Sequence, residues 1–153
     1  MSQTPEESSP FANLIQIGVV VKDMDKAIER LAILGIGPFY SKMPPADSKS
    51  LFRGKNFVAA ERVKIKATRL GNSELELIQP TEGESPHKEY LQEKGEGIQH
   101  VAFAVDDLEK AVARLTASGS KMLLDGRRKD GSGVAYLDLD VAGIIVELIK
   151  HRD

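Results

Sequence analysis

The sequence of 153 residues contains no cysteine and no tryptophan, and only 5% of its residues are aromatic. The absence of cysteine excludes a disulfide scaffold, a thiolate metal site and a cysteine nucleophile. No apolar run approaches the ~20 residues that a membrane helix needs. The first ten residues have neither the basic nor the apolar segment of a secretory signal. From these absences we expect a cytoplasmic protein that does not act at a membrane.

An excess of charge of either sign is also missing. Lysine and arginine total 21, aspartate and glutamate total 23, and the formal net charge is −2. This balance argues against a nucleic-acid partner, because nucleic-acid-binding proteins usually carry a clear basic excess. Hydrophobic residues make up 41% of the chain, which is ordinary for a globular protein. We expect a flexible tail over residues 1–10 and a single domain over residues 11–153.

Hydrophobic periodicity predicts a strand followed by an amphipathic helix near the N-terminus. Residues 14–21 form an apolar, β-branched run that is typical of a buried strand. Residues 24–34 carry apolar side chains at helical spacing, and Asp23 is the expected N-cap of that helix. Residues 40–60 read as irregular, apart from a short strand near Ser50–Phe52. Further strands are predicted at 62–70, 74–79, 98–105, 121–124, 134–139 and 144–150, and further helices at 87–93 and 108–118.

The chain contains an internal repeat. Between residues 16–35 and residues 100–119, seven aligned positions are identical, and the triplet Glu-Leu-Ile recurs at 76–78 and 147–149. Each half therefore reads as a strand, a helix and about three strands. We predict an α+β fold in which two βαβββ modules, residues 11–80 and 95–150, form a curved mixed sheet around a cleft.

Four polar residues lie within apolar strands at equivalent positions of the two halves: Gln16 with His100, and Glu76 with Glu147. A carboxylate in an apolar strand is costly to bury unless it faces water, a cation or a metal. One imidazole, one amide oxygen and two carboxylates suit an octahedral divalent ion such as Zn, Co, Ni, Mn or Mg. We therefore predict that these four side chains bind one divalent metal ion.

Small residues lie on the same strand faces as two of the predicted ligands. Gly18 is two residues from Gln16, and Ala102 and Ala104 are two and four residues from His100. We expect these small side chains to leave room for a substrate above the metal.

The pattern of strands and polar residues resembles the vicinal oxygen chelate superfamily, which includes glyoxalases, ring-cleaving dioxygenases, bleomycin-resistance proteins and methylmalonyl-CoA epimerases. The resemblance covers residues 14–150. Within it, LGNSELELIQP at 70–80 and GEGIQHVAFAVDDLEKAV at 95–112 are most similar to the epimerases. Gln16 stands where epimerases usually have histidine, and Gln99 stands where they commonly have the first of two histidines.

The resemblance implies a function as well as a fold. It implies paired βαβββ modules with one metal ligand at each of four strands, which are Gln16, Glu76, His100 and Glu147. It also implies a homodimer and an isomerase that removes a proton next to the carbonyl of an acyl thioester, through an enolate that the metal stabilises. Glu147 is the expected base, because its apolar neighbours favour the uncharged form that follows proton uptake. Glu76 is the expected second acid or base.

Two other functions stay open at this point. The ligand set of Gln, Glu, His and Glu is also similar to that of a glyoxalase I, a lyase that acts on a glutathione hemithioacetal. A metal-free small-molecule binding protein of the bleomycin-resistance kind is the third candidate. The scarcity of aromatic residues argues against it, because such a protein stacks planar drugs.

Basic residues cluster in the loop at residues 125–133. Arg127, Arg128 or Lys129 could bind a phosphate or a carboxylate of the substrate. The alternative is a solvated, charged turn. We expect His87 and His151, which lie in polar segments, to be solvated.

Overall fold

The structure is a computed structural model that describes residues 9–44 and 49–153. The tail predicted at 1–10 therefore lies mostly outside the described residues, as does part of the irregular stretch predicted at 40–60. Of the predicted tail only Ser9 and Pro10 are described, and Pro10 is buried.

The described residues form ten strands, three α-helices and one turn of 3₁₀ helix over Ala59–Glu61. In chain order the elements are β1 (Leu14–Val20), α1 (Met24–Ile33), β2 (Tyr40–Lys42), β3 (Ser50–Phe52), β4 (Lys55–Phe57), β5 (Val63–Leu70), β6 (Ser73–Pro80), α2 (Pro86–Lys94), β7 (Gly97–Ala104), α3 (Leu108–Ala117), β8 (Lys121–Arg127), β9 (Gly133–Asp138) and β10 (Ile145–Lys150). In the described part of the chain, no helix has the length and hydropathy to cross a bilayer.

All ten strands belong to one mixed sheet, in the order β2-β5-β6-β1-β7-β10-β9-β8-β3-β4. The centre of the sheet is the antiparallel pair of β1 and β7. On either side the order is mirrored, because β1 pairs in parallel with β6 and β7 pairs in parallel with β10. The predicted α+β fold with a curved mixed sheet is confirmed. The pairing of β1 with β7 joins the two halves within one chain.

Helices α1 and α3 cover the outer face of the sheet. The apolar side of α1, which includes Met24 and Leu31, packs against β1 and β6. The corresponding side of α3, which includes Leu108 and Leu115, packs against β7, β9 and β10. Because side chains alternate across a strand, the residues of β1 and β7 that do not face these helices lie on the inner face.

The stretch predicted to be irregular holds three short strands rather than one. Strand β2 pairs with β5 at one end of the sheet, whereas β3 and β4 form a hairpin that pairs with β8 at the other end. Phe52 and Phe57 of this hairpin pack on Leu124 and Tyr136 of the second half. The strand predicted near Ser50–Phe52 is present as β3. Strands β2 and β4 were not predicted because three-residue strands are too short to establish a period.

The two duplicated helices begin with the same cap. The Asp23 carboxylate accepts a hydrogen bond from the Lys26 N–H at 3.1 Å, and the Asp107 carboxylate accepts one from the Lys110 N–H at 3.0 Å. We expect Asp107→Ala and Asp23→Ala each to lower the free energy of unfolding by about 1 kcal/mol, because each leaves a helix N–H without its cap. Urea denaturation measures this change. Asp106→Ala, which alters the exposed neighbour of the cap, is the matched control, and an equal loss in that variant would contradict the capping role.

Candidate functional site

The register of the sheet brings the four predicted ligands together on its inner face. Gly18 of β1 pairs with Glu76 on one side and with His100 on the other. Gln16 pairs with Ala102, which in turn pairs with Glu147. The four side chains are buried, with exposed fractions of 4% for Gln16, 5% for Glu76, 1% for His100 and 7% for Glu147.

A β-bulge in β7 adds a fifth polar residue to this face. Gly18 pairs with His100, but the next residue of β1 pairs with Ile98, so Gln99 is the extra residue of the bulge. The Gln99 amide nitrogen donates to the Pro86 carbonyl at 3.1 Å. This bond turns the Gln99 carbonyl oxygen toward two imidazole rings, the Nδ1 of His100 at 3.0 Å and the Nδ1 of His87 at 2.7 Å.

The Gln99 carbonyl can only accept hydrogen bonds, so both Nδ1 atoms carry the hydrogen. In a neutral His100 the other nitrogen, Nε2, is then left with its lone pair. It faces the Glu147 Oε2 at 3.2 Å and the Gln16 Oε1 at 3.3 Å. Three acceptors therefore converge with no hydrogen between them. Such an arrangement needs positive charge at its centre, either a second proton on the ring or a cation.

The donor set fits a cation at this point. The imidazole nitrogen, the amide oxygen and the carboxylate oxygen of His100, Gln16 and Glu147 are ligands that divalent ions take in proteins. The hydrogen bond of a ligating histidine to Gln99 is the kind of outer contact that fixes its tautomer. Within residues 9–44 and 49–153, no three His, Cys, Asp or Glu side chains form a ready metal-binding group. One of the three convergent ligands, Gln16, is an amide and does not count toward such a group.

Glu76, the fourth predicted ligand, is held by two other groups. Its Oε2 lies 2.8 Å from the Gln16 amide nitrogen and 3.3 Å from the Lys42 ammonium. The neighbouring Glu74 accepts from the same two groups, Gln16 at 2.9 Å and Lys42 at 2.6 Å, and from the Tyr40 hydroxyl. The predicted ligand therefore lies beside Gln16, with its oxygen directed at Lys42.

The pKa values of Glu76 and Glu74 are shifted in opposite directions. Burial and the nearby charge of Glu147 raise the pKa of Glu76. Burial would also raise the pKa of Glu74, but hydrogen bonds from Lys42, Tyr40 and Gln16 outweigh it and lower that pKa. Burial alone would lower the pKa of Lys42, but its bonds to the two carboxylates raise it. Lys42 and Glu74 therefore form a stable ion pair next to Glu76.

Gly18 has a steric role that was not predicted from the sequence. A Cβ on Gly18 would lie 2.6 Å from the His100 Nδ1 and closer still to two other ring atoms. The missing side chain of Gly18 thus makes space for the His100 ring itself. The residues that line the cavity do not include Gly18, Ala102 or Ala104.

Sequence analysis missed Gln99, Tyr136 and Lys42 and misplaced His87. His87 is buried at the start of α2, and burial together with the nearby His100 lowers its pKa to about 3. The Tyr136 hydroxyl hydrogen-bonds Glu147, and burial and the charge of Glu147 raise its pKa. The prediction of a solvated His87 was wrong because its helix is mostly polar, and nothing in its sequence indicates which side chain faces the sheet.

A cavity of about 430 Å³ opens above these residues. Its floor includes Gln16, Glu76 and Glu147. Its apolar wall includes Phe57, Val63, Ile65, Leu124 and Val134. The side chains of Lys42, Arg128, Lys150, His151 and Arg152 also line it. His151 and Arg152 are exposed, so they lie at the open end of the cavity, its mouth. The cavity is therefore acidic at its floor, apolar along its wall and basic at its mouth.

The basic loop contributes one of its three cations to the cavity. Arg127 is paired with Asp125 at 2.8 Å and with Glu109 at 3.0 Å, and it points away from the cavity. Arg128 lines the cavity, and its guanidinium lies 3.4 Å from the Ser132 hydroxyl. Of the loop residues considered for anion binding, Arg128 is therefore the one in position.

Comparison with known protein families gives a match over residues 15–136. The matching family model is that of the glyoxalase/bleomycin resistance protein/dioxygenase superfamily. The chain is also 28% identical over 150 residues to the mitochondrial methylmalonyl-CoA epimerase of Mus musculus, covering 94% of this chain and 77% of that protein. It is 26% identical over 136 residues to the uncharacterized Bacillus subtilis protein YqjC, covering 82% of this chain and 94% of that protein.

Solved structures show the same fold. The methylmalonyl-CoA epimerase of Mycobacterium tuberculosis superposes with a TM-score of 0.66 at 22% identity, covering 96% of this chain and 93% of that one. A single-residue variant of the Streptomyces coelicolor methylmalonyl-CoA epimerase, in complex with 2-nitronate-propionyl-CoA, superposes with a TM-score of 0.65 at 24% identity. That match covers 94% of this chain and 99% of the other.

We predict that Gly18→Ala displaces the His100 ring and destabilises the protein by about 1–3 kcal/mol, the usual cost of overpacking a core. The double variant Gly18→Ala/His100→Ala tests the cause, because removing the ring removes the clash. Urea denaturation of the four proteins gives the coupling energy. If Gly18→Ala costs as much in the His100→Ala background as in the wild type, the ring is not what requires glycine.

We predict that His87 makes the metal-free protein less stable in acid. The pKa of His87 is about 3 in the folded chain and 6.5 as the ordinary value, so between these pH values the unfolded chain binds a proton that the folded chain does not. The stabilisation that the neutral His87 contributes is complete above pH 6.5. Below that pH, the free energy of unfolding falls by about 1.4 kcal/mol for each pH unit. Urea denaturation from pH 7.5 to pH 5 should show a shallower slope for His87→Gln. The control His151→Gln, at an exposed histidine, should keep the wild-type slope, and equal slopes for all three would refute a neutral buried His87.

Proposed function

The chain belongs to the glyoxalase/bleomycin resistance protein/dioxygenase superfamily, and on that premise we propose that it is a metal-dependent isomerase most like methylmalonyl-CoA epimerase. It would remove a proton next to the carbonyl of an acyl thioester. The observation that carries the proposal is the convergence of the His100 Nε2, the Glu147 Oε2 and the Gln16 Oε1 on one point below the cavity.

The charges around this point support a divalent ion rather than a second proton on His100. Three carboxylates, Glu74, Glu76 and Glu147, lie in or next to the site, and Lys42 supplies one positive charge. Two negative charges remain, which a divalent cation would balance. Buried charges without partners are costly, so this balance favours metal binding. Gln16, His100 and Glu147 would hold the ion, with Glu76 as the fourth ligand.

When bound, the ion would supply the positive charge that stabilises an enolate. Glu147 would take the proton from the carbon next to the carbonyl, because its carboxylate lines the cavity. The Tyr136 hydroxyl, which hydrogen-bonds Glu147, would hold that carboxylate in place. Glu76 also lines the cavity floor, and it would return a proton to the opposite face. The apolar wall would limit the access of water.

The cavity favours a coenzyme A thioester over a glutathione adduct. Phe57, Leu124 and Val134 suit an apolar acyl group, whereas Arg128 and Lys150 suit the phosphates of a carrier that extends through the mouth. Coenzyme A carries more negative charge than glutathione, so the basic mouth complements it better. The M. tuberculosis and S. coelicolor proteins of this fold are methylmalonyl-CoA epimerases, and the latter binds an acyl-CoA analogue. A homodimer and a cytoplasmic location remain predictions from the sequence.

We expect the protein to retain about one cobalt or manganese ion per chain after metal loading and desalting, and His100→Ala to lose it. Elemental mass spectrometry measures this content. In heavy water the loaded protein should exchange the α-proton of methylmalonyl-CoA, and Glu147→Gln should slow the exchange at least about a hundredfold, the usual contribution of a general base. Glu84→Gln, at an exposed carboxylate, is the matched control and should exchange at the wild-type rate.

The outcomes separate the three candidate functions. If the protein retains metal but does not exchange the α-proton of methylmalonyl-CoA, and if it turns over a glutathione hemithioacetal, it is a lyase and not an isomerase. No retained metal and no exchange would favour a small-molecule binding protein. Full exchange by a folded Glu147→Gln variant would show that Glu147 is not the base.

A further inference from the structure

Lys42 occupies an unusual position for a lysine on an edge strand. It lies on β2, next to β5, yet its ammonium reaches Glu74 and Glu76 on β6, the strand beyond. Lys42 pairs with Ile65 of β5, and Ala67 of the same strand pairs with both Tyr40 and Glu76, so Lys42 reaches Glu76 diagonally across β5. The Lys42 side chain is 42% exposed and lines the cavity, so its charged end lies between solvent and the buried site.

The contacts of Lys42 form a closed ring of two donors and two acceptors. The Lys42 Nζ contacts the Glu74 Oε1 at 2.6 Å and the Glu76 Oε2 at 3.3 Å. The Gln16 Nε2 contacts the same two oxygens at 2.9 Å and 2.8 Å. This ring holds the Glu76 Oε2 between the Gln16 amide and the Lys42 ammonium.

We propose that Lys42 is a built-in counter-ion that competes with the divalent metal for Glu76. In the metal-free protein the ammonium shares its charge between Glu74 and Glu76 and holds Glu76 in the ring. Metal binding draws the Glu76 carboxylate toward the ion and leaves Lys42 paired with Glu74 alone. The inference concerns this chain's own lysine, and it rests on the proposed function because it assumes that the site takes a metal.

Two opposite effects follow from one substitution. In Lys42→Met the side chain keeps its length but loses its charge, so Glu74 and Glu76 lose their counter-ion in the metal-free protein. That form should become less stable. With metal bound, the same substitution removes an ammonium close to a divalent ion, where like charges repel. Metal affinity should therefore increase, and so should the stabilisation that metal confers.

The experiment measures cobalt dissociation constants by calorimetry, and melting temperatures with and without cobalt, for four proteins. These are the wild type, Lys42→Met, Lys42→Arg and Lys150→Met. We expect Lys42→Met to bind cobalt about tenfold more tightly or better, to melt lower than the wild type without metal and to gain more from cobalt. Lys42→Arg keeps the charge and should stay close to the wild type. Lys150→Met removes a charge at the cavity mouth and controls for long-range electrostatics.

The outcomes distinguish this inference from the proposed function. If wild type and Lys42→Met bind cobalt equally, or if Lys42→Met binds it more weakly, the competition is refuted while the metal site stands. If Lys150→Met tightens binding as much as Lys42→Met, the effect is general electrostatics and the competition with Glu76 is also refuted. If neither wild type nor Lys42→Met binds cobalt, both the metal site and the competition fail. If Lys42→Met binds cobalt and the wild type does not, the competition is supported, because Lys42 then prevents cobalt binding in the wild type.

Discussion

The functional site depends on the orientation of one amide, that of Gln99. Its nitrogen side is fixed by the Pro86 carbonyl, so its oxygen must face the imidazoles of His87 and His100. That orientation places the hydrogen of each neutral ring on Nδ1. In a neutral His100, the Nε2 therefore presents a lone pair to Glu147 and Gln16. If the Gln99 amide were reversed, its N–H groups would face the rings and the convergence of acceptors would have no basis.

Two backbone features make that arrangement sterically possible. The bulge in β7 turns Gln99 toward the same face as His100, which a regular strand would not allow because consecutive residues alternate. Across the sheet, Gly18 leaves the space that the His100 ring fills. The chemistry of the site thus rests on one extra residue in β7 and one absent side chain in β1, and neither is itself a reactive group.

The residues that sequence reasoning found differ physically from those it missed. Gln16, Glu76, His100 and Glu147 could be placed on one face because strands have a period of two and the chain is duplicated. Both rules are local. Gln99 breaks the period through the bulge, and Lys42 reaches β6 only because the fold places β2 beside β5. Both depend on pairing between distant segments, which periodicity does not encode. The Tyr40–Lys42 strand was itself missed because its three residues are too few to show a period.

The two halves of the fold are duplicated, but the charged groups that they contribute to the site differ. The first half contributes Gln16 and Glu76 within a ring closed by Glu74 and the Lys42 ammonium, so its charges are partly balanced inside the protein. The second half contributes His100 and Glu147, which contact each other and the neutral groups of Gln99, Gln16 and Tyr136. Each half thus keeps one negative charge, Glu147 in the second half and the excess of Glu74 and Glu76 over Lys42 in the first. A divalent cation between the halves would balance both charges. Glu147 also lines the cavity, which is consistent with its assignment as the group that receives the proton.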